Sequence, residues 1–265
     1  MKTTTALITG GSSGIGLAVS ELLLANGYRV YSISRNPERG PKSDSFIPIK
    51  FDLCEINKIP SFSQGFIEKY GVPDFLVNNA GYGSFFEWRE FPTEEITNQI
   101  TLLCTAPILL CREFAPTMEN KKKGVILNLS SLATLYPLPF MPMYNAGKSA
   151  LSSFTQSMML EYSHYPRFID FRMGDVQTEF NKSASQQSHF SRSKSSINAW
   201  RQIEKQLNNS ILPKLAALQI FKSLKRQKHG TYHGGTFFHS VILVFMLRFL
   251  SSQLLIRVLR FWYRL

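Results

Sequence analysis

A chain of 265 residues with 44% hydrophobic content is long enough to bury one sizeable core, which excludes a disordered or low-complexity protein. Three cysteines, Cys54, Cys104 and Cys111, lie in or beside apolar segments, so a disulfide framework is excluded and their spacing offers no metal site. The formal net charge of +12 is unevenly placed: residues 182–265 hold 14 of the 30 basic residues and a single acid, Glu204, while residues 1–181 are close to neutral.

In chain order, residues 5–9 form a short apolar strand and Leu17 to Leu24 carry a helical apolar pattern. Between them stands Thr9-Gly10-Gly11-Ser12-Ser13-Gly14-Ile15-Gly16. Glycines at a strand-to-helix turn let backbone amides at a helix N-terminus approach a pyrophosphate, so this loop suits a dinucleotide. A second strand, Arg29 to Ser34, is followed by Arg35, and a third by Phe51-Asp52-Leu53. The fourth ends in Asn78-Asn79-Ala80-Gly81 and the fifth in Asn128-Leu129-Ser130-Ser131. Tyr144 and Lys148 then lie four residues apart on one helix face, where an ammonium can stabilise a phenolate and lower a pKa of roughly 10. After a sixth strand comes Gly174-Asp175-Val176-Gln177-Thr178. Each residue alone has a common structural use: Ser131 as a turn residue, Tyr144 as packing, Lys148 as a solvated charge. Their order behind a nucleotide loop favours chemistry.

These motifs, over roughly residues 3–180, resemble the short-chain dehydrogenase/reductase family, of the NADP-dependent ketoreductase type. The resemblance implies a Rossmann-like doubly wound parallel sheet of about seven strands in residues 1–235, with a substrate loop at about 179–200. It implies that Tyr144 protonates a carbonyl oxygen as hydride arrives, that Ser131 holds that oxygen, and that Lys148 lowers the tyrosine pKa and binds the nicotinamide ribose. The cofactor would lie on Gly10, Ser12, Ser13, Gly14, Ile15, Gly16, Arg35, Asp52, Leu53, Asn79, Ala80, Gly81, Tyr144, Lys148, Gly174, Val176 and Thr178, with Asp52 at the adenine and Thr178 on the carboxamide. Ser34 stands where an acid would accept the ribose 2′-hydroxyl, and Arg35 can contact a 2′-phosphate, so NADP(H) is the expected cofactor. Many members carry a relay asparagine where alignment puts Leu103, with Thr101 and Cys104 as near-register alternatives; none is asparagine. Met173 and Gly147 are smaller departures, from proline and serine. A homodimer or homotetramer through helices at 93–118 and 144–162 is also implied.

Beyond the sixth strand, residues 181–197 are rich in serine, and helical patterns follow from Ala199 and from Ile211 to Leu224. Gly230 to Gly235 fits a last strand, and residues 236–265 form a hydrophobic and amphipathic helical extension. Phe237 to Leu247 is apolar but too short to span a bilayer, which takes about 20 residues. Gln253, Arg257, Arg260 and Arg264 form a polar stripe opposite a broad apolar face that includes Trp262 and Tyr263. Such a helix suits an anionic membrane surface; docking over the substrate pocket or into a dimer interface is the alternative. No nucleic-acid motif accompanies the basic tail. The first strand begins almost at once, leaving no room for a signal peptide, so a cytoplasmic enzyme, peripheral on the membrane, is expected. Phe85, Phe86, Leu132, Leu138, Phe140, Met141, Met143 and Phe180 are expected near the nicotinamide, and their apolar character points to a hydrophobic ketone of 3-oxoacyl, keto-sphingoid, steroid or retinoid class. The second reading is an NADP-binding regulatory or scaffold protein with weakened catalysis.

Overall fold

A computed structural model describes residues 3–178 and 193–265. Seven strands form one parallel sheet: β1 (Thr5–Thr9), β2 (Arg29–Ser34), β3 (Phe46–Lys50), β4 (Phe75–Asn78), β5 (Val125–Ser131), β6 (Arg167–Met173) and β7 (Gly230–Gly234). Their spatial order is β3-β2-β1-β4-β5-β6-β7. The chain reverses its direction of winding between β1 and β4, and the crevice at their carboxyl ends is where such sheets bind ligands.

Continuous apolar strands need cover on both faces, and β4 and β5 are buried throughout. One face is covered by α1 (Gly14–Ala25) and α6 (Pro213–Arg226), through Val19, Leu23, Ala216 and Ile220. The other is covered by α2 (Ile59–Tyr70), α3 (Thr93–Asn120) and α4 (Pro142–Glu161), through Phe66, Leu110 and Phe114. Each of these valine, leucine, isoleucine and phenylalanine side chains contributes about 1.5–3 kcal/mol by leaving water. Helix α3 runs for 28 residues and is the one described helix long and apolar enough to cross a membrane, but it packs against α2 and the core. Its middle, Thr101–Thr105, is π-helical, and Leu103 on that turn is buried.

Helix α5 (Lys194–Asn208) already begins within the 179–200 range expected for the substrate loop, because Ser193 caps it by accepting a bond from the Ser196 amide at 3.1 Å. Residues 179–192, including Phe180, lie outside the described residues. The cap is pinned by Glu87, whose Oε1 accepts from the Ser193 amide at 2.9 Å and the Ser196 hydroxyl at 2.8 Å.

The tail forms α7 (Phe238–Leu247) and α8 (Ser252–Tyr263). Leu255, Leu259 and Tyr263, at spacings of four, make the inward stripe of α8; Tyr263 is 1% exposed and packs with Trp200 and Ile203 of α5. Of the apolar face read from the sequence, this stripe docks on protein, since α5 offers it an apolar seat. Arg264 lies just past the helix in a left-handed conformation, so only Gln253, Arg257 and Arg260 share its polar stripe. Leu254, Ile256, Val258, Phe261 and Trp262 remain exposed.

Candidate active site

The glycine loop is built for a ligand's close approach. Gly10 and Gly14 adopt φ of +69° and +52°, and a Cβ on Gly16 would stand 2.2 Å from the Gly10 carbonyl oxygen. Asn79 holds this turn: its side-chain amide donates to Thr9 O at 2.9 Å, while the Asn79 and Ala80 amides donate to Thr9 Oγ1 at 2.9 and 3.0 Å. Ser12 is buried, and the Ser13 hydroxyl makes no cap bond to α1. Ile15 packs into the core beneath the loop, and Thr178 reaches back to within 3.5 Å of a Cβ placed on Gly14.

Arg35 is exposed at the end of β2, with no ion pair among the described residues. Beside it Asp52 accepts a bond from the Cys54 amide at 2.9 Å, and both Asp52 and Arg35 are within electrostatic reach of Cys54. Leu53 is buried below them. The Ser34 hydroxyl is buried without a hydrogen-bond partner among the described residues. A backbone cradle ending in an unpaired guanidinium fits a phosphorylated dinucleotide.

Ser131, Tyr144 and Lys148 come together at the ends of β5 and α4. Ser131 ends β5, its Oγ accepting from the Ala133 amide at 3.1 Å, and it shares a hydrogen bond with Tyr144. Proline at the first helical position starts α4, and Asn145 bonds both backbone groups of Leu138, fixing the loop above Tyr144. The Lys148 ammonium lies between two strand ends, donating to Leu129 O at 2.6 Å and standing 3.6 Å from a Cβ placed on Gly81. Burial pulls its pKa down to about 8, opposed by Asp170. Burial pushes the Tyr144 phenol up to about 12, opposed by the Ser131 bond and reinforced by Asp175. Lys148 is not among the groups that shift this phenol; its ammonium is aimed at the Leu129 carbonyl.

Leu103, which alignment puts at the asparagine position, is buried on the π-helical turn. It wedges between Gly81 and Gly147, where added Cβ atoms would lie 2.8 Å from its Cδ2 and 2.9 Å from its Cβ. Gly174 packs on Leu132 and donates to Gly234 O at 2.9 Å, while Val176 bridges Ile211.

The sequence reading missed four residues. Asp170 is fully buried beneath Lys148, bonded to Ser130, to Ser152 at 2.7 Å and to Arg172 at 2.9 Å. Asp175 and Tyr136 lie within electrostatic reach of Tyr144, and Tyr263 is buried in the apolar cluster against which Tyr144 packs. The position of Asp175 within the motif after β6 offered a signal, as did Tyr263 on an apolar face that could dock over the substrate pocket. Of the eight predicted apolar residues, Phe85, Leu138, Phe140 and Met141 come together in one cluster, joined by Trp200 and Tyr263 with Tyr144 against it, whereas Phe86 packs on Phe91. Phe85 meets Trp200 at 5.1 Å between ring centroids, and the Phe86 amide bonds Phe140 O at 3.0 Å. A cleft of about 700 Å³ opens on the cofactor-loop side, lined by Gly14, Thr178, Trp200 and Leu207, whereas Tyr263 and Tyr144 belong to the packed apolar cluster.

A seven-stranded doubly wound sheet with a glycine loop and this Ser-Tyr-Lys grouping defines a nicotinamide-dinucleotide oxidoreductase. The family model for short chain dehydrogenases matches residues 4–189, and the chain belongs to that family. An uncharacterized oxidoreductase of Schizosaccharomyces pombe, C162.03, is 34% identical over 165 residues, which cover 61% of this chain and 56% of the relative, little more than half its length. A 3-ketodihydrosphingosine reductase of Bacteroides thetaiotaomicron is 26% identical over 229 residues, 83% of each chain. A short-chain dehydrogenase from Streptomyces avermitilis shares the fold with a TM-score of 0.80 at 21% identity, over 93% of this chain and 94% of that one. The protein is an NAD(P)-dependent oxidoreductase.

Proposed function

We propose that this enzyme reduces the carbonyl of a hydrophobic, lipid-like ketone with NADPH at a membrane surface. The carrying observation is the hydrogen-bonded Ser131–Tyr144 pair at the floor of an apolar wall, with Lys148 buried behind it. NADPH supplies the hydride when bound. The glycine loop from Gly10 to Gly16, Arg35, Asp52, Leu53, the Asn79–Gly81 turn, Lys148 and the Gly174–Thr178 segment would hold it. Ser131 holds the carbonyl oxygen and Tyr144 delivers the proton to it as a general acid. A phenol held protonated by burial is in the form that reduction requires. Lys148 stabilises the phenolate left behind.

Arg35 without a carboxylate partner and Ser34 at the end of β2 support the phosphorylated cofactor. The apolar wall and the similarity to a 3-ketodihydrosphingosine reductase support a long-chain ketone. Arg257 and Arg260 beside exposed Leu254, Val258, Phe261 and Trp262 support an anionic cytoplasmic membrane face. The family resemblance favours a homodimer or homotetramer through α3 and α4.

The test is NADPH oxidation against ketones of increasing chain length, repeated with NADH and with Tyr144→Phe. Turnover should rise with chain length, favour NADPH and fall at least about a hundredfold in the variant, the scale of a lost general acid. Leu103 in the relay position favours a second reading, an NADP-binding regulatory protein with weakened catalysis. Tight NADPH binding with no turnover of any ketone would support that reading instead.

A further inference from the structure

A second cleft, of about 590 Å³, opens between α5 and α8 and shares no lining residue with the one beside the glycine loop. Gln202 and Lys205 of α5 form one wall, and Arg260, Phe261, Trp262, Arg264 and Leu265, at the end of α8 and just beyond, form the other. Its size is that of a small-molecule site, about 300–1,000 Å³.

Contacts beneath and beside the cleft hold its walls. Tyr263 is buried against Trp200 and Ile203, which seats α8 on α5. The Asn198 side-chain amide donates to Arg264 O at 3.4 Å, and the Leu265 amide donates to Arg260 O at 2.9 Å across the left-handed turn at Arg264. Gln202 and Lys205, three residues apart, share one face of α5.

Three cations line this cleft, and none has an ion pair among the described residues. Glu204, the single acid of residues 182–265, lines the other cleft. Cations gathered from two helices repel one another, and an anion held between them relieves that repulsion. Guanidinium forks fit phosphate oxygens, and a phosphomonoester offers them a charge of about −1.5 to −2 at pH 7. The rim argues for a lipid rather than a soluble phosphate. Phe261 and Trp262 are exposed there, and Leu254, Ile256 and Val258 are exposed along the same helix. Such side chains enter the acyl boundary of a bilayer while neighbouring basic groups meet the headgroups.

We propose that the cleft between α5 and α8 is a headgroup site for a phospholipid ending in a phosphomonoester, held by Lys205, Arg260 and Arg264. This rests on the membrane-surface reading above and names the lipid. The site is joint: one wall comes from the helix beside the active site and the other from the tail.

The experiment measures co-flotation of the full chain with phosphatidylcholine vesicles that contain phosphatidate, or phosphatidylserine at matched surface charge. Wild-type binding should favour phosphatidate by about tenfold or more, the scale of a hydrogen bond to a charged group. Lys205→Gln and Arg264→Gln should each erase that preference. Arg201→Gln and Arg257→Gln remove the same charge from the same two elements outside the cleft, and should leave it. Equal binding to the two vesicles by wild type, or equal effects of variants inside and outside the cleft, would overturn the headgroup site and leave diffuse attraction. Displacement by glycerol 3-phosphate at the same concentration as by short-chain phosphatidate would assign the cleft to a soluble phosphate and overturn the lipid. If either cleft variant fails to fold, the other and the wild-type lipid ratio decide. Binding to neither vesicle would overturn the membrane-surface reading, and the site with it.

Discussion

Burial and charge oppose each other most directly at Lys148. Its ammonium is enclosed beside Gly81 and Leu129, with Asp170 as the nearby opposite charge. A lysine whose folded pKa is about 8 and whose ordinary value is 10.5 binds its proton more tightly when unfolded. The penalty is therefore full below about pH 8 and is relieved as pH rises toward about 10.5. Lys148→Met should raise the melting temperature of the cofactor-free protein at pH 7 by several degrees, with a smaller gain at pH 9.5, while turnover is lost. A variant that melts lower at pH 7 would mean that the bond to Leu129 O outweighs the buried charge. Ser131, Tyr144 and Lys148 were legible in the sequence because their chemistry is written in order and spacing. Asp170 was not, because a single aspartate within a strand has no periodicity to betray its partners.

Among elements, the contact between α3 and α4 joins two residues that depart from the pattern of the family resemblance. Leu103 in place of asparagine and Gly147 in place of serine read as separate changes in the sequence, yet the structure makes them one contact, on the π-helical turn of α3. A side chain at position 147 would put its Cβ 2.9 Å from that of Leu103, closer than carbon atoms pack. Gly147→Ser should destabilise by about 1–3 kcal/mol in denaturant unfolding, the scale of overpacking. Adding Leu103→Ala should restore only part of that loss, since the Cβ of residue 103 remains. A neutral Gly147→Ser would show that the two helices can part without cost. Strand positions were legible from apolar runs ending in glycine or asparagine. The early start of α5 was not, because its capping serine lies among other serines and is selected by the distant Glu87.

For the whole molecule, the undecided feature in the sequence was the tail. A helix with an apolar face reads alike whether that face meets protein or lipid, and α8 divides it: Leu255, Leu259 and Tyr263 turn inward, while Phe261 and Trp262 are 86% and 54% exposed beside Arg257 and Arg260. The full chain should co-float with anionic vesicles, less so at high salt, and deletion of residues 252–265 should abolish it. Binding that survives the deletion would assign the membrane contact elsewhere, and no binding by the full chain would leave α8 as a purely docked helix.

The reductase reading itself is tested most directly by label transfer. NADPH deuterated at the transferable C4 position is incubated with a long-chain ketone, and the alcohol is examined by mass spectrometry. Deuterium should appear at the carbinol carbon with the wild-type chain, with little or none from Tyr144→Phe. An unlabelled alcohol, or no alcohol from a protein that binds NADPH tightly, would contradict carbonyl reduction by this site.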